Sequence, residues 1–213
     1  MQTALARPFA PHPLIKEVAQ ASLPSAYTRE GLTMRAFRSL ADGLEHLALV
    51  RGEPQPGALV RVHSECLTGD ALGSMRCDCG EQLRAAMRLI SESRSGALIY
   101  VRGHEGRGIG LANKVAAYEL QDQGLDTAEA NTALGFAADA RDYQVAAEMI
   151  RALGLTDIRL LTNNPLKGAA LMRYGISVRE DVPLVLASNP HNAGYLATKR
   201  DKMGHRLPEE APE

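Results

Sequence analysis

Tryptophan is absent from this 213-residue chain, and aromatic residues make up only 4% of it. That scarcity excludes a stacking platform for single-stranded nucleic acid. Neither sign of charge is in surplus: 24 Lys and Arg face 25 Asp and Glu, a formal net charge of −1. No global basic field exists to hold nucleic acid or an anionic membrane. No apolar run approaches a membrane span, and residues 1–13 contain none long enough for a signal peptide. Cysteine is scarce too, at three residues. An odd count with no export signal argues against a disulfide framework and points to a reducing cytoplasm.

What is present fits a globular α/β chain. Hydrophobic residues make up 45%, enough to fill a core, and the length suits one sizeable domain or two small ones. Residues 1–30, with Pro8, Pro11, Pro13 and Pro24, read as a poorly ordered lead-in. Residues 208–213 read as a disordered acidic tail. Residues 31–207 are then the folded domain. Strands are expected over 46–50, 58–65, 97–101, 158–161 and 182–186, and helices over 81–91, 111–123, 143–153 and 167–174. In the second helix Leu111, Val115 and Tyr118 are the expected inward stripe. Strands alternate with helices from residue 97 onward, and the N-terminal third is strand-rich. The fold class is α/β, a mixed β-sheet layered with helices in a single domain.

All three cysteines fall in one window of 14 residues: Cys66, Cys77 and Cys79. Ordinary buried thiols are one reading, but Glu65, Asp70, Arg76 and Asp78 are not core company. A structural zinc site is a second reading; it needs a fourth ligand, and His63 stands nearest in sequence. Catalytic zinc with three protein ligands and an open position is the third. His63-Ser64-Glu65 with downstream cysteines is also similar to the zinc-dependent nucleobase deaminases. Their cysteine pair is C-x-x-C after proline, however, whereas Cys77-Asp78-Cys79 follows Arg76.

A second constellation suits an anion. Glu105-Gly106-Arg107-Gly108-Ile109-Gly110 joins a strand to a helix, where backbone N–H groups and the helix dipole favour negative charge. It is neither a Walker loop nor a dinucleotide fingerprint. Arg61, Arg102, Arg107, Lys114, Arg141 and Lys167 sit at element ends or loops and match a phosphate-rich ligand; solvated surface arginines are the plainer alternative. Asp139 or Asp142 reads as an N-cap, and Asn164-Pro165 as a cap followed by the first helical position.

In order along the chain, these strings resemble GTP cyclohydrolase II: Arg61-Val62-His63-Ser64-Glu65-Cys66-Leu67-Thr68-Gly69-Asp70, Arg76-Cys77-Asp78-Cys79-Gly80, Glu105-Gly106-Arg107-Gly108-Ile109-Gly110-Leu111, Leu120-Gln121-Asp122-Gln123-Gly124, Ala138-Asp139-Ala140-Arg141-Asp142-Tyr143 and Leu161-Thr162-Asn163-Asn164-Pro165. The resemblance covers about residues 45 to 207 and includes Lys202-Met203-Gly204-His205. It implies a cytoplasmic homodimer that takes GTP as substrate and uses one zinc ion per chain, with magnesium on the triphosphate. The implied products are 2,5-diamino-6-ribosylamino-4(3H)-pyrimidinone 5′-phosphate, formate and diphosphate, in the first step of riboflavin biosynthesis. Cys66, Cys77 and Cys79 match the zinc ligands. Arg141 matches a proposed nucleophile toward the α-phosphate, Asp139 a proton acceptor and Tyr118 a residue assisting ring opening. Arg61, Val62, His63, Ser64, Glu65, Gln82, Glu105, Gly106, Arg107, Thr127, Thr162 and Lys167 match GTP contacts. An electrostatic clamp is an equal reading for Arg141, because a guanidinium has a scarce free base. Gly103-His104 departs from the family pattern in the loop before Glu105. The other readings are a nucleobase deaminase, a paralogous GTP cyclohydrolase serving a secondary pathway, and a nucleotide-binding module with structural zinc.

Overall fold

The computed structural model describes residues 14–137 and 139–208. Among them, seven strands form one sheet: β1 (Ile15–Ser25), β2 (Thr28–Ser39), β3 (Glu45–Arg51), β4 (Ala58–Ser64), β5 (Gly96–Val101), β6 (Asp157–Leu161) and β7 (Ser177–Val182). Their order is β1-β2-β3-β5-β4-β6-β7. The β1–β2, β2–β3 and β3–β5 pairs are antiparallel, and β4 pairs in parallel with β5 and β6, as β6 does with β7. The sheet is therefore mixed, with its antiparallel half drawn from the N-terminal third. The helices are α1 (Leu67–Asp70), α2 (Cys79–Glu92), α3 (Leu111–Asp122), α4 (Thr127–Ala133), α5 (Gln144–Ala152), α6 (Pro165–Arg173) and α7 (Ala193–Asp201).

Period-two alternation divides the central strand β4 between two layers. Ala58, Val60 and Val62 join Ala146, Met149 and Ile150 of α5 and Leu171 of α6 in the larger core. Leu59 faces the other way, with Ala86, Met87 and Ile90 of α2. Arg61 and His63 share that second face at the C-terminal end of the strand and line a cleft rather than a core.

Three expectations need correction, and two helices lie where none was expected. The lead-in over 1–30 contains β1 and the start of β2; residues 1–13 lie outside the described residues, as does the tail beyond Pro208. Most β1 side chains are exposed, so the strand carries no apolar alternation and is held by backbone pairing with β2. The expected strand over 182–186 lies earlier, at β7, because the Asn163 side chain accepts from Leu184 N at 2.8 Å and donates to Leu184 O at 2.7 Å. That bracket withdraws Leu184 from strand pairing. The helix over 127–133 was missed despite a capping box, in which Asp126 and Glu129 bond each other's backbone N–H; α7 was missed as well. Finally, α3 is turned over. Leu111 and Val115 are 42% and 56% exposed, while Lys114 and Ala117 are buried. This helix packs chiefly on α4 and the Glu105–Arg107 turn, with Lys114 and Ala117 facing inward.

One backbone contact fixes how α1 meets α2. A Cβ on Gly80 would lie 2.0 Å from the carbonyl oxygen of Gly69. Gly80→Ala is expected to lower stability by about 1–3 kcal/mol. Gly194→Ala, in open space, should change it by less than about 1 kcal/mol. Urea denaturation of both variants is the check.

Candidate active site

The cleft sits at the C-terminal ends of β4, β5 and β6, where parallel strands of α/β sheets present ligand sites. It encloses about 1090 Å³ of empty space, its open mouth included. The N-terminus of α2, the turn Glu105–Arg107, α3, α4, α6 and α7 complete its walls.

At one end lie the three sulfurs, all within 4.8 Å of one another, with Cys66 Sγ and Cys77 Sγ at 3.7 Å. Three soft donors this close suit a zinc ion. No histidine or carboxylate joins the group among the described residues. His63, the ligand that a structural site or a deaminase-type site would need, bonds Asp70 through Nε2 at 3.0 Å. The bonds from Cys77 and Cys79, aided by the Lys114 ammonium, hold the Cys66 thiol far below its ordinary pKa. Beside that thiolate Cys77 is pushed up to about 11, and Cys79 is raised as well. The trio shares protons that a divalent cation would displace.

Lys114 ties the sulfurs to the turn after β5. Its ammonium donates to Cys66 Sγ at 3.1 Å, Thr68 Oγ1 at 2.8 Å and Glu105 Oε1 at 2.6 Å, which uses all three of its hydrogens. Glu105 Oε2 accepts from Leu67 N at 2.7 Å. The turn itself is left-handed at Gly106 and at Arg107, with φ of 60° and 66°. The expected backbone cradle is not free here: the N–H groups of Arg107, Gly108 and Gly110 bond His104 or Glu105 carbonyls. The turn offers the cleft side chains instead. The unusual Gly103-His104 pair is anchored, by Gly103 N on Glu65 Oε1 at 2.8 Å and by His104 Nδ1 against Ser64 Oγ at 3.0 Å.

The other end is cationic. Arg61, Arg107, Arg141, Lys167 and Lys199 line it. Arg141 holds Asp139 through Nε at 2.9 Å and Nη2 at 2.5 Å, and Lys199 meets Asp78 at 2.6 Å. Arg61, Arg107 and Lys167 are in no ion pair among the described residues. Arg61 bonds the Leu161 carbonyl and Gln82, and Lys167 bonds the Val62 carbonyl at 2.8 Å. Burial, with Arg61 and Arg141 nearby, drives the Lys167 ammonium well below its ordinary pKa. Uncompensated buried cations are costly and mark a place for an anion.

The residues picked out from the sequence come together here, with distinctions. Arg61, His63, Ser64, Glu65, Gln82, Glu105, Gly106, Arg107, Tyr118, Thr127, Arg141, Thr162, Lys167 and the cysteines line the cleft. Val62 contributes a carbonyl while its side chain fills the core. Asp139 stands behind Arg141, and neither it nor Asp142 is the N-cap of α5, which is Tyr143. Asn164 does cap α6, accepting from Leu166 N with Pro165 next. Arg102 lies outside, against Glu65 at 3.5 Å. Tyr195, Lys199 and His205 were missed. The Lys202-Met203-Gly204-His205 string hinted at His205, but nothing local marks Lys199.

A family profile described as GTP cyclohydrolase II matches residues 16–183. The riboflavin biosynthesis protein RibBA of Nocardia farcinica is 51% identical over 195 residues, covering 91% of this chain and 47% of that protein. Its namesakes from Salinispora tropica and Phocaeicola vulgatus are 53% and 48% identical over 196 residues, each covering 91% of this chain and 48% of that protein. The chain spans about half the length of the curated relatives it matches. Among solved structures, RibBX, a two-domain 3,4-dihydroxy-2-butanone 4-phosphate synthase from A. baumannii, aligns with a TM-score of 0.48 and 22% identity, covering 81% of this chain and 41% of that one. No described helix is long and apolar enough to cross a membrane.

Two outcomes are expected from this electrostatic layout. Lys167→Met should raise the urea midpoint without ligand, since an uncompensated buried cation is removed, yet weaken binding of inorganic tripolyphosphate, used as an anion probe, by about tenfold or more. Calorimetry with tripolyphosphate checks the second half. His104 and His205 are held down to about 4 by burial and neighbouring cations. The unfolded chain takes up these protons from pH 6.5 downward and the folded chain resists them, so stability should fall between pH 6.5 and 4. His104→Leu should make that fall shallower in denaturation curves taken at stepped pH.

Proposed function

The chain belongs to the GTP cyclohydrolase II family, and from that premise we propose that it hydrolyses GTP to 2,5-diamino-6-ribosylamino-4(3H)-pyrimidinone 5′-phosphate, formate and diphosphate. The observation that carries this reading is one cleft with a trio of cysteine sulfurs at one end and unpaired buried cations at the other. Such a cleft suits a substrate with a triphosphate and a ring to be opened by water. The proposed setting is a cytoplasmic homodimer making the first riboflavin intermediate; a sister pathway using the same product class would need the same site.

Cys66, Cys77 and Cys79 would hold the zinc ion, which supplies Lewis acidity for hydrolytic attack on the five-membered ring of guanine. Magnesium would accompany the triphosphate. Arg61, Arg107 and Lys167 neutralise phosphate oxygens, and an incoming anion restores the charge that burial disfavours on Lys167. Lys199 adds a cation braced by Asp78, whose other oxygen takes Gln82 Nε2 at 2.6 Å.

Arg141 acts as a clamp on the α-phosphate. Although burial opposes it, the Asp139 bonds raise its pKa above the ordinary value, so the guanidinium stays charged and is no nucleophile. Its Nη1, at 3.5 Å from Ser64 Oγ, points toward the cleft mouth of β4. Asp139 orients that fork. Burial opposes its ionisation as well, but the Arg141 bonds hold its carboxyl below the usual range, which makes it a weak proton acceptor. Tyr118 is a phenol kept protonated by burial, with its hydroxyl 3.4 Å from Thr68 Oγ1 next to Cys66, and can donate a hydrogen to the opening ring.

Formate release from GTP by zinc-loaded protein with magnesium tests the reaction; zinc-replete protein that yields none would sink it, and ammonia release with an intact ring would support the deaminase instead. Cys77→Ser should lose both zinc and formate. Arg141→Ala should keep zinc and lose diphosphate release, while Arg141→Lys should retain only a minor part of it, because a point charge replaces a two-pronged donor.

A further inference from the structure

Asp70 is a buried carboxylate that none of these steps uses. It closes α1, and its side chain is 7% exposed. Three donors converge on it: the Tyr100 hydroxyl at 2.7 Å, the Cys66 backbone N–H at 3.0 Å, and His63 Nε2 at 3.0 and 3.1 Å from the two oxygens. A carboxylate only accepts, so the hydrogen of the His63 ring sits on Nε2. Sheet register pairs His63 with Tyr100, and the two rings stack with centroids 5.5 Å apart. The imidazole is thereby fixed in both tautomer and rotation.

Its other nitrogen, Nδ1, is buried in the cleft wall and has no partner among the described residues. Burial lowers the His63 pKa, so this nitrogen keeps its lone pair at neutral pH. Of the other unpartnered atoms in the cleft lining, Arg61 Nε, Arg107 Nη2 and Asn131 Nδ2 donate, and His205 Nδ1 is a second ring nitrogen. The nearby carboxylates are engaged, Glu105 by Lys114 and Leu67 N, and Glu65 by Gly103 N. Donors suit phosphate oxygens. A buried acceptor fixed in its tautomer, as His63 Nδ1 is by Asp70, suits an N–H or O–H group, which a nucleotide carries only on its base and sugar.

We propose that Asp70 is a positioning residue for nucleotide recognition: by taking the Nε2 hydrogen of His63 it turns Nδ1 into the acceptor for an N–H or O–H donor of the nucleoside half of GTP. This rests on the reading of the cleft as a GTP site. An unmet donor or acceptor in a buried site is costly, so the contact discriminates between nucleotides as well as holding one.

The test is a long-range ¹H–¹⁵N correlation spectrum of histidine-labelled protein, run beside GTP-binding and zinc measurements on the same samples. Wild type should show His63 with hydrogen on Nε2 alone. Asp70→Asn, whose amide can donate to Nε2, should move that hydrogen to Nδ1. Asp70→Asn and His63→Phe should each weaken GTP binding by about tenfold with zinc retained. His63→Phe leaves the Asp70–Cys66 bond in place, so it decides the matter should Asp70→Asn lose zinc. ITP and 2′-deoxy-GTP locate the donor: an analogue lacking it should bind wild type and His63→Phe alike, and if both analogues still bind His63→Phe more weakly the donor is N1–H or the 3′-hydroxyl. A wild-type His63 carrying hydrogen on Nδ1, an unmoved hydrogen in Asp70→Asn, or unchanged GTP affinity in His63→Phe overturns the proposal. Wild-type protein that binds GTP without releasing formate would overturn the hydrolytic reading instead, and the tautomer and binding results would still decide this one.

Discussion

The sulfurs of Cys66, Cys77 and Cys79 meet because two backbones touch. Gly69 in α1 and Gly80 in α2 approach so closely that a Cβ on Gly80 would lie 2.0 Å from the Gly69 carbonyl oxygen, and one on Gly69 would press on Cys77 Sγ at 3.0 Å. Close packing leaves no slack for such a contact to relax into. With it in place the trio spans less than 4.8 Å and Lys114 reaches Cys66 from the opposite wall. Without it the sulfurs would sit on two independent short segments. The rest of the cleft is arranged around that fixed corner.

Charge is distributed across the cleft with a clear direction. Glu105 and Lys114 neutralise each other beside the sulfurs, so that end carries anionic thiolate and little else. The far end carries arginines and lysines, of which only Arg141 and Lys199 have carboxylate partners among the described residues. Under the proposed function a polyanion enters with its charge away from the Cys66 thiolate, and its uncharged end is left at the sulfur corner. The orientation follows from Coulombic sorting in a buried space. The turned-over helix α3 belongs to the same design: its buried Lys114 is why Leu111 and Val115 face solvent.

Much of the fold was legible because its signals are local. Apolar runs and glycine stops gave β3 to β6 and the helices α2, α3, α5 and α6 within a few residues of their ends. Where burial was absent the signal was absent, as in β1, which is held by backbone pairing along an exposed hairpin. Where a side chain overrode local preference the boundary moved, as Asn163 did to the end of the sheet. The stripe in α3 misled because amphipathicity identifies two faces without saying which neighbour each one meets.

By itself the sequence determined the donor chemistry: three thiols in 14 residues, a run of basic residues at element ends, and ordered strings shared with one family. Those are properties of residue type and short spacing, which the chain carries before it folds. Only the tertiary structure decided which of these groups pair and which remain open. Lys199 reaches Asp78 across 121 residues, Lys167 reaches Val62 across 105, and His63 is bonded by Asp70 and stacked on Tyr100 from a neighbouring strand. Contacts of that length are set by sheet order and by the packing of α2, α6 and α7 around β4, and no local pattern encodes them.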